Sequence, residues 1–118
     1  MEINHEWNFG YDRLLADDLK QLVLSGKKKA TTGLYSGRAS KAGDYEALLD
    51  FDQKRFCIVR ITKVEIKPFL EVDYAFILKE GEDDKDVEEW REKHRKFLDL
   101  KDDEVNVICL EFEVVEVL

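Results

Sequence analysis

The segment RFCIVRITKVEIK, Arg55 to Lys67, alternates its side chains between two faces with no glycine or proline to interrupt it. Phe56, Ile58 and Arg60 fall on one face; Cys57, Val59 and Ile61 fall on the other. Period-two alternation rich in β-branched residues predicts one long strand, and Pro68 is placed to end it. A second such segment runs from Val105 to Val117. There every residue from Val105 to Leu110 except Asn106 is apolar, as expected of a strand covered on both faces. Helical patterns lie between these strands, but not in the strand-helix-strand alternation of a doubly wound parallel sheet. The expected class is α+β, built on a curved sheet or small barrel with flanking helices.

The remaining elements follow from periodicity and punctuation. Leu15, Leu19, Leu22 and Val23 form one stripe at helical spacing, predicting a helix from Asp12, its N-cap, to Ser25, with Gly26 just past its end. Lys29 to Leu34 reads as a short strand carrying Thr31 and Thr32. YSGRASKAGD is a loop, and Tyr45 to Phe51 a strand closed by the turn DFDQKR. Val72 to Lys79 reads as a helix stopped by Gly81. A further helix runs from Asp86 to Leu98, with Trp90, His94 and Phe97 on one side.

Residues 1–118 suit a single domain with one core. The N-terminal MEINHEWNFG lacks the basic start and apolar middle of a secretory signal, and no apolar run is long enough to span a bilayer. A cytoplasmic protein with no membrane partner is expected. Cys57 and Cys109 each sit in an apolar segment and read as buried thiols rather than as a disulfide or metal pair. The net charge of −8 argues against broad binding of polyanions. The excess acid is concentrated in KEGEDDKDVEEWRE and DLKDDEVN, away from the lysines of SGKKKATTGL.

That basic window holds the residues best suited to chemistry. Lys27, Lys28 and Lys29 follow a helix end, where cations complement the helix dipole. If the chain turns at Gly26, Lys28 and Thr31 can meet at one mouth of a barrel. An ammonium beside a hydroxyl can hold an anion, or, if the amine loses its proton, act as base toward that hydroxyl. Trp90 and His94 share a helix face, either as a core pair or as the lining of a cleft. Tyr35, beside glycines, is placed to stack on a ligand. Tyr11, Tyr45 and Tyr74 read as core or surface. No recognised metal-ligand spacing is present, so neither metal nor cofactor is expected.

SGKKKATTGL, then KAGD, KPFLEVDYAFILKEGE and WREKHRKFL, in this order along nearly the whole chain, resemble the ASCH domain family. The family's Gly-x-Lys-x-x-Thr run is matched by Gly26, Lys28 and Thr31. The Glu-Gly-Glu and Trp-x-x-x-His-x-x-Phe of one subgroup are matched by Glu80, Gly81 and Glu82 and by Trp90, His94 and Phe97. The resemblance implies a small PUA-like β-barrel with flanking helices and a cleft facing the Lys-Thr motif. It also implies binding of RNA, a nucleotide or a modified nucleoside. The ligand-facing candidates are Gly26, Thr32, Tyr35, Arg38, Trp90 and His94. An alternative it implies is hydrolysis, either amidohydrolysis of an acylated cytidine-type nucleoside or ribonuclease action, with Lys28, Thr31 and Glu80 catalytic. Thr31 would attack, Lys28 would take its proton and Glu80 would orient Lys28 or a water, with Glu82 as the competing acidic partner. A third reading is a regulatory or interaction domain that kept the fold without the chemistry. One departure is Gly33, where the wider family often has an arginine; Arg38 or Lys41 on the glycine loop are the nearest substitutes.

Overall fold

The computed structural model describes residues 2–8, 12–37 and 40–118. In chain order they form β1 (His5–Asn8), α1 (Arg13–Leu24), β2 (Ala30–Leu34), β3 (Tyr45–Leu49) and β4 (Arg55–Pro68). A single 3-10 turn (Phe69–Glu71) then leads to α2 (Tyr74–Glu80), α3 (Val87–Phe97) and β5 (Asn106–Val117). The five strands make one sheet in the order β1-β3-β4-β5-β2. β1 lies parallel to β3, and every other pair is antiparallel. The α+β class is as expected, but the sheet curves into a half-barrel, with β1 and β2 as its two edges. Register shifts between β4 and β5, at Ile58/Val59 and at Ile61/Lys63, add the local twist that curvature needs.

β5 explains how one sheet serves two cores. Its successive side chains point to opposite faces. Ile108, Leu110 and Phe112 join Leu19 and Val23 of α1 and Leu48, Val59 and Ile61 in one cluster. Val107 and Cys109 join Phe69, Phe76, Ile77 and Trp90 in the other. Each such buried side chain contributes about 1.5–3 kcal/mol. β4 is likewise covered on both sides, since Phe56, Cys57, Ile58 and Val59 are all buried. Cys57 and Cys109 are free thiols, one in each cluster. Among the described residues no helix is long and apolar enough to cross a membrane.

The helices are held by their caps. The Asp12 carboxylate accepts from Leu15 N at 2.8 Å, Asp73 from Phe76 N at 2.9 Å, and Asp86 from Glu89 N at 2.8 Å. α2 begins at Tyr74, later than expected, because Phe69–Glu71 forms the 3-10 turn and Asp73 is the cap. β3 stops at Leu49, short of Phe51. The chain turns at Asp50, where Gln53 N donates to Asp50 O at 3.0 Å, and Gln53 has a φ of 64°. β4 continues through Pro68, one residue past its expected end. β3 pairs with β4 only as far as Arg60, so that flank of β4 is open where the proline lies. β1 was not expected at all.

Candidate functional site

The turn after α1 is fastened to the end of α2. Lys28 N donates to Leu22 O at 3.0 Å, and Lys29 N donates to Lys79 O at 2.8 Å. Gly81 caps α2 in the left-handed region, with a φ of 72°. A Cβ there would stand 2.3 Å from Lys27 O, so the two backbones touch because residue 81 has no side chain. This contact brings Glu80 and Glu82 beneath the lysines. Of the three, only Lys28 turns inward, with 2% exposure; Lys27 is exposed and pairs with Asp83 at 2.7 Å, and Lys29 is exposed.

Lys28 Nζ lies 2.8 Å from Glu82 Oε2 and donates to Glu80 O at 3.4 Å. The carboxylate paired with Lys28 is therefore that of Glu82. The Glu80 carboxylate, 1% exposed, serves others. Thr32 Oγ1 donates to its Oε1 at 2.6 Å and Trp90 Nε1 to its Oε2 at 3.2 Å, while His94 Nε2 stands 3.4 Å from Oε2. His94 Nδ1 is 3.0 Å from Trp90 O, so both ring nitrogens face oxygen acceptors. Burial pushes the Glu80 carboxyl up. The hydrogen bond from His94, the charges of Lys28 and His94 and the Thr32 hydroxyl outweigh it and hold the group down at about 2.

Thr31 and Thr32 are separated by strand parity. Adjacent residues of β2 point to opposite sides, so only one of them can reach α2, and it is Thr32. Thr31 is half-buried and borders the open space, which Thr32 also lines. A hollow of about 250 Å³ is bounded by Lys28, Thr31, Thr32, Glu82, Lys93 and His94, with Lys96 and Phe97 at its side. A neighbouring hollow of about 360 Å³ is bounded by Trp7, Thr31, Gly33, Glu46, Phe97 and Leu110, among others. Thr31, Thr32 and Phe97 line both, so the two hollows adjoin, and the second reaches from β1 to β2, the edges of the half-barrel. Lys93 Nζ is 2.7 Å from the buried Asp84 carboxylate, which anchors one of the cleft's cations.

Lys28, Thr31, Thr32 and His94 thus share the first hollow, with Glu80 directly behind Thr32 and His94. Trp90 does not line it: at 0% exposure it is sealed between Phe69 and His94, with ring centroids 5.3 and 4.2 Å away, so stacking on a ligand is replaced by packing. Among the described residues Tyr35 lines neither of these hollows; it lies exposed past the end of β2. Gly26 shapes the turn, with a φ of 81°, and borders a separate hollow behind Lys28. Arg38 and Tyr11 lie outside the described residues. Sequence reasoning missed Lys93, Phe97 and Lys96 as cleft residues, although the i, i+3 spacing of Lys93 and Lys96, next to His94 and Phe97, was there to be used.

An open half-barrel flanked by helices, with a buried lysine beside its hollows, is a small α+β domain, and comparison with known proteins places it in a family. The model of the ASCH domain matches residues 5–116, and the chain belongs to that family. Two crystal structures share its fold over most of both chains. Protein EF3133 from Enterococcus faecalis V583 is 32% identical, with a TM-score of 0.83 over 100% of this chain and 84% of that one. The ASCH domain from Lactobacillus crispatus JV V101 is 26% identical, with a TM-score of 0.82 over 95% and 80%. The protein PH0355, 22% identical with a TM-score of 0.73 over 94% and 98%, shares the fold. No curated protein matches the chain.

Proposed function

We propose that the chain, acting as one PUA-like ASCH domain, binds RNA, a nucleotide or a modified nucleoside in the cleft beside Thr31. The observation that carries this reading is the buried Lys28 ammonium at the wall of a hollow also lined by Lys93, Lys96 and the ring of Phe97. Lysines offer point-charge donors to phosphate or carbonyl oxygens, and an aromatic ring offers a face to a base. The two joined hollows are of the size that takes a small molecule, for which sites of about 300–1,000 Å³ are usual. The net charge of −8 disfavours long polyanions and favours a nucleoside-sized or short single-stranded ligand.

A hydrolytic reading, with Lys28, Thr31 and Glu80 as catalytic groups, is favoured by one feature: the Lys28 amine and the Thr31 hydroxyl line the same hollow. In the resting arrangement the Lys28 amine is held by Glu82 at 2.8 Å, so a ligand that uses this amine has to share or displace that contact.

Fluorescence anisotropy with short single-stranded RNA and calorimetry with cytidine and acetylated cytidine separate the two. In the binding reading Thr31→Ala weakens affinity about tenfold, and RNA binding falls as salt rises. In the hydrolytic reading acetylated cytidine is turned over by the native chain and not by Thr31→Ala. Salt-independent RNA binding, or affinity untouched by both Thr31→Ala and Lys93→Ala, contradicts the proposal.

A further inference from the structure

β1 brings together a second cluster of side chains. In its parallel register on β3, His5 stands opposite Glu46, and Asp44 lies two residues before Glu46, just ahead of the strand. One ligand atom from each of His5, Asp44 and Glu46 lies within 4.8 Å of the other two. Around a divalent ion with bonds of about 2.1 Å, neighbouring ligand atoms stand roughly 3–4 Å apart, so slight closure would complete a three-ligand set.

The state of Glu46 distinguishes this cluster from an ordinary acidic patch. Its side chain is 0% exposed. Trp7 Nε1 donates to Oε1 at 2.7 Å and so fixes the plane of the carboxylate. Oε2 is buried and, among the described residues, has no hydrogen-bond donor. A buried carboxylate oxygen without a donor is costly, and a cation is what would relieve it. Glu80, Glu82 and His94 also lie within 4.8 Å of one another, but they differ in this respect. There Oε2 of Glu80 accepts from Trp90, and Oε2 of Glu82 holds the Lys28 ammonium, so a lysine already supplies the positive charge.

We propose that His5, Asp44 and Glu46 bind a divalent cation at the wall of the hollow that Thr31 also lines. One imidazole with two carboxylates suits the manganese-to-zinc class rather than calcium or magnesium. The site joins two strands that are adjacent in the sheet but about forty residues apart in sequence, so no local spacing reveals it.

The test uses the full chain, stripped of metal with a chelator. Manganese chloride is titrated while the free-ion signal is followed by electron paramagnetic resonance, and zinc chloride is titrated by calorimetry. One equivalent is expected to bind saturably, with His5→Ala and Glu46→Gln each weakening affinity at least about tenfold. Glu46→Gln keeps an acceptor for Trp7. His5→Ala changes a half-buried edge position, so it decides the matter even if the glutamate variant does not fold. No saturable binding, affinity unchanged in His5→Ala, or loss of binding in Glu82→Gln instead, overturns the assignment. No nucleic acid enters the experiment, so its outcome is separate from that of the proposal for the cleft.

Discussion

Glu80 does its work as an anion in a place where anions are costly. Burial opposes its charge; Thr32, Trp90, His94 and nearby Lys28 sustain it. A carboxyl that titrates near 4.5 in the unfolded chain and at about 2 in the folded one adds stability that is fully present above pH 4.5. That stability is lost as pH falls from there through about 2. Glu80→Gln is therefore expected to flatten the acid limb of a melting-temperature profile between those two values. Its stability at neutral pH should also drop by roughly 1–3 kcal/mol, because an amide cannot serve three donors as a carboxylate does. An unchanged acid limb would show that the carboxylate is not held in this way. The residues of this network, Lys28, Thr32, Glu80, Trp90 and His94, were each singled out in the sequence. Their wiring was not. Which threonine meets Glu80 depends on the parity of β2, and which glutamate meets Lys28 depends on how the chain leaves α2 at Gly81.

Among the elements, those with local signals were legible and those defined by partners were not. α1 carried its own cap and stripe, and its expected limits are within a residue of those observed. β1 has one apolar residue in HEWN and becomes a strand only because β3 offers its edge. The close approach of Gly81 to Lys27 is likewise a tertiary fact, although the glycine was visible as a helix stop. Gly81→Ala combines left-handed backbone strain with a backbone clash that no rotamer relieves. It is expected to cost roughly 2 kcal/mol or more in urea denaturation. Gly43→Ala has positive φ with open space around it, and should cost only about 1 kcal/mol. Equal costs for the two would mean that the contact with Lys27 does not matter.

For the whole molecule, segregated charge and a two-faced sheet were foreseeable, while the opening of the barrel was not. Long alternating segments say that a sheet exists; whether its edges meet depends on bulges and on what fills the gap, here a cleft rather than a further strand pair. The two cores make a prediction about the thiols. Burial raises both Cys57 and Cys109 to about 11, and they lie in different clusters. Neither should react with a thiol reagent at neutral pH until the sheet opens, and both should then react together. Labelling of either one in the native chain would indicate local opening of its face.

β2 carries Thr31 and Thr32, yet in the sheet order its one neighbour is β5, the last strand of the fold. During synthesis from the N-terminus, the strand bearing the pocket's hydroxyls waits for a partner made some seventy residues later. A nascent or C-terminally shortened chain would thus have no half-made pocket to offer: the hollow arrives together with the closing stitch of the fold, and not before it.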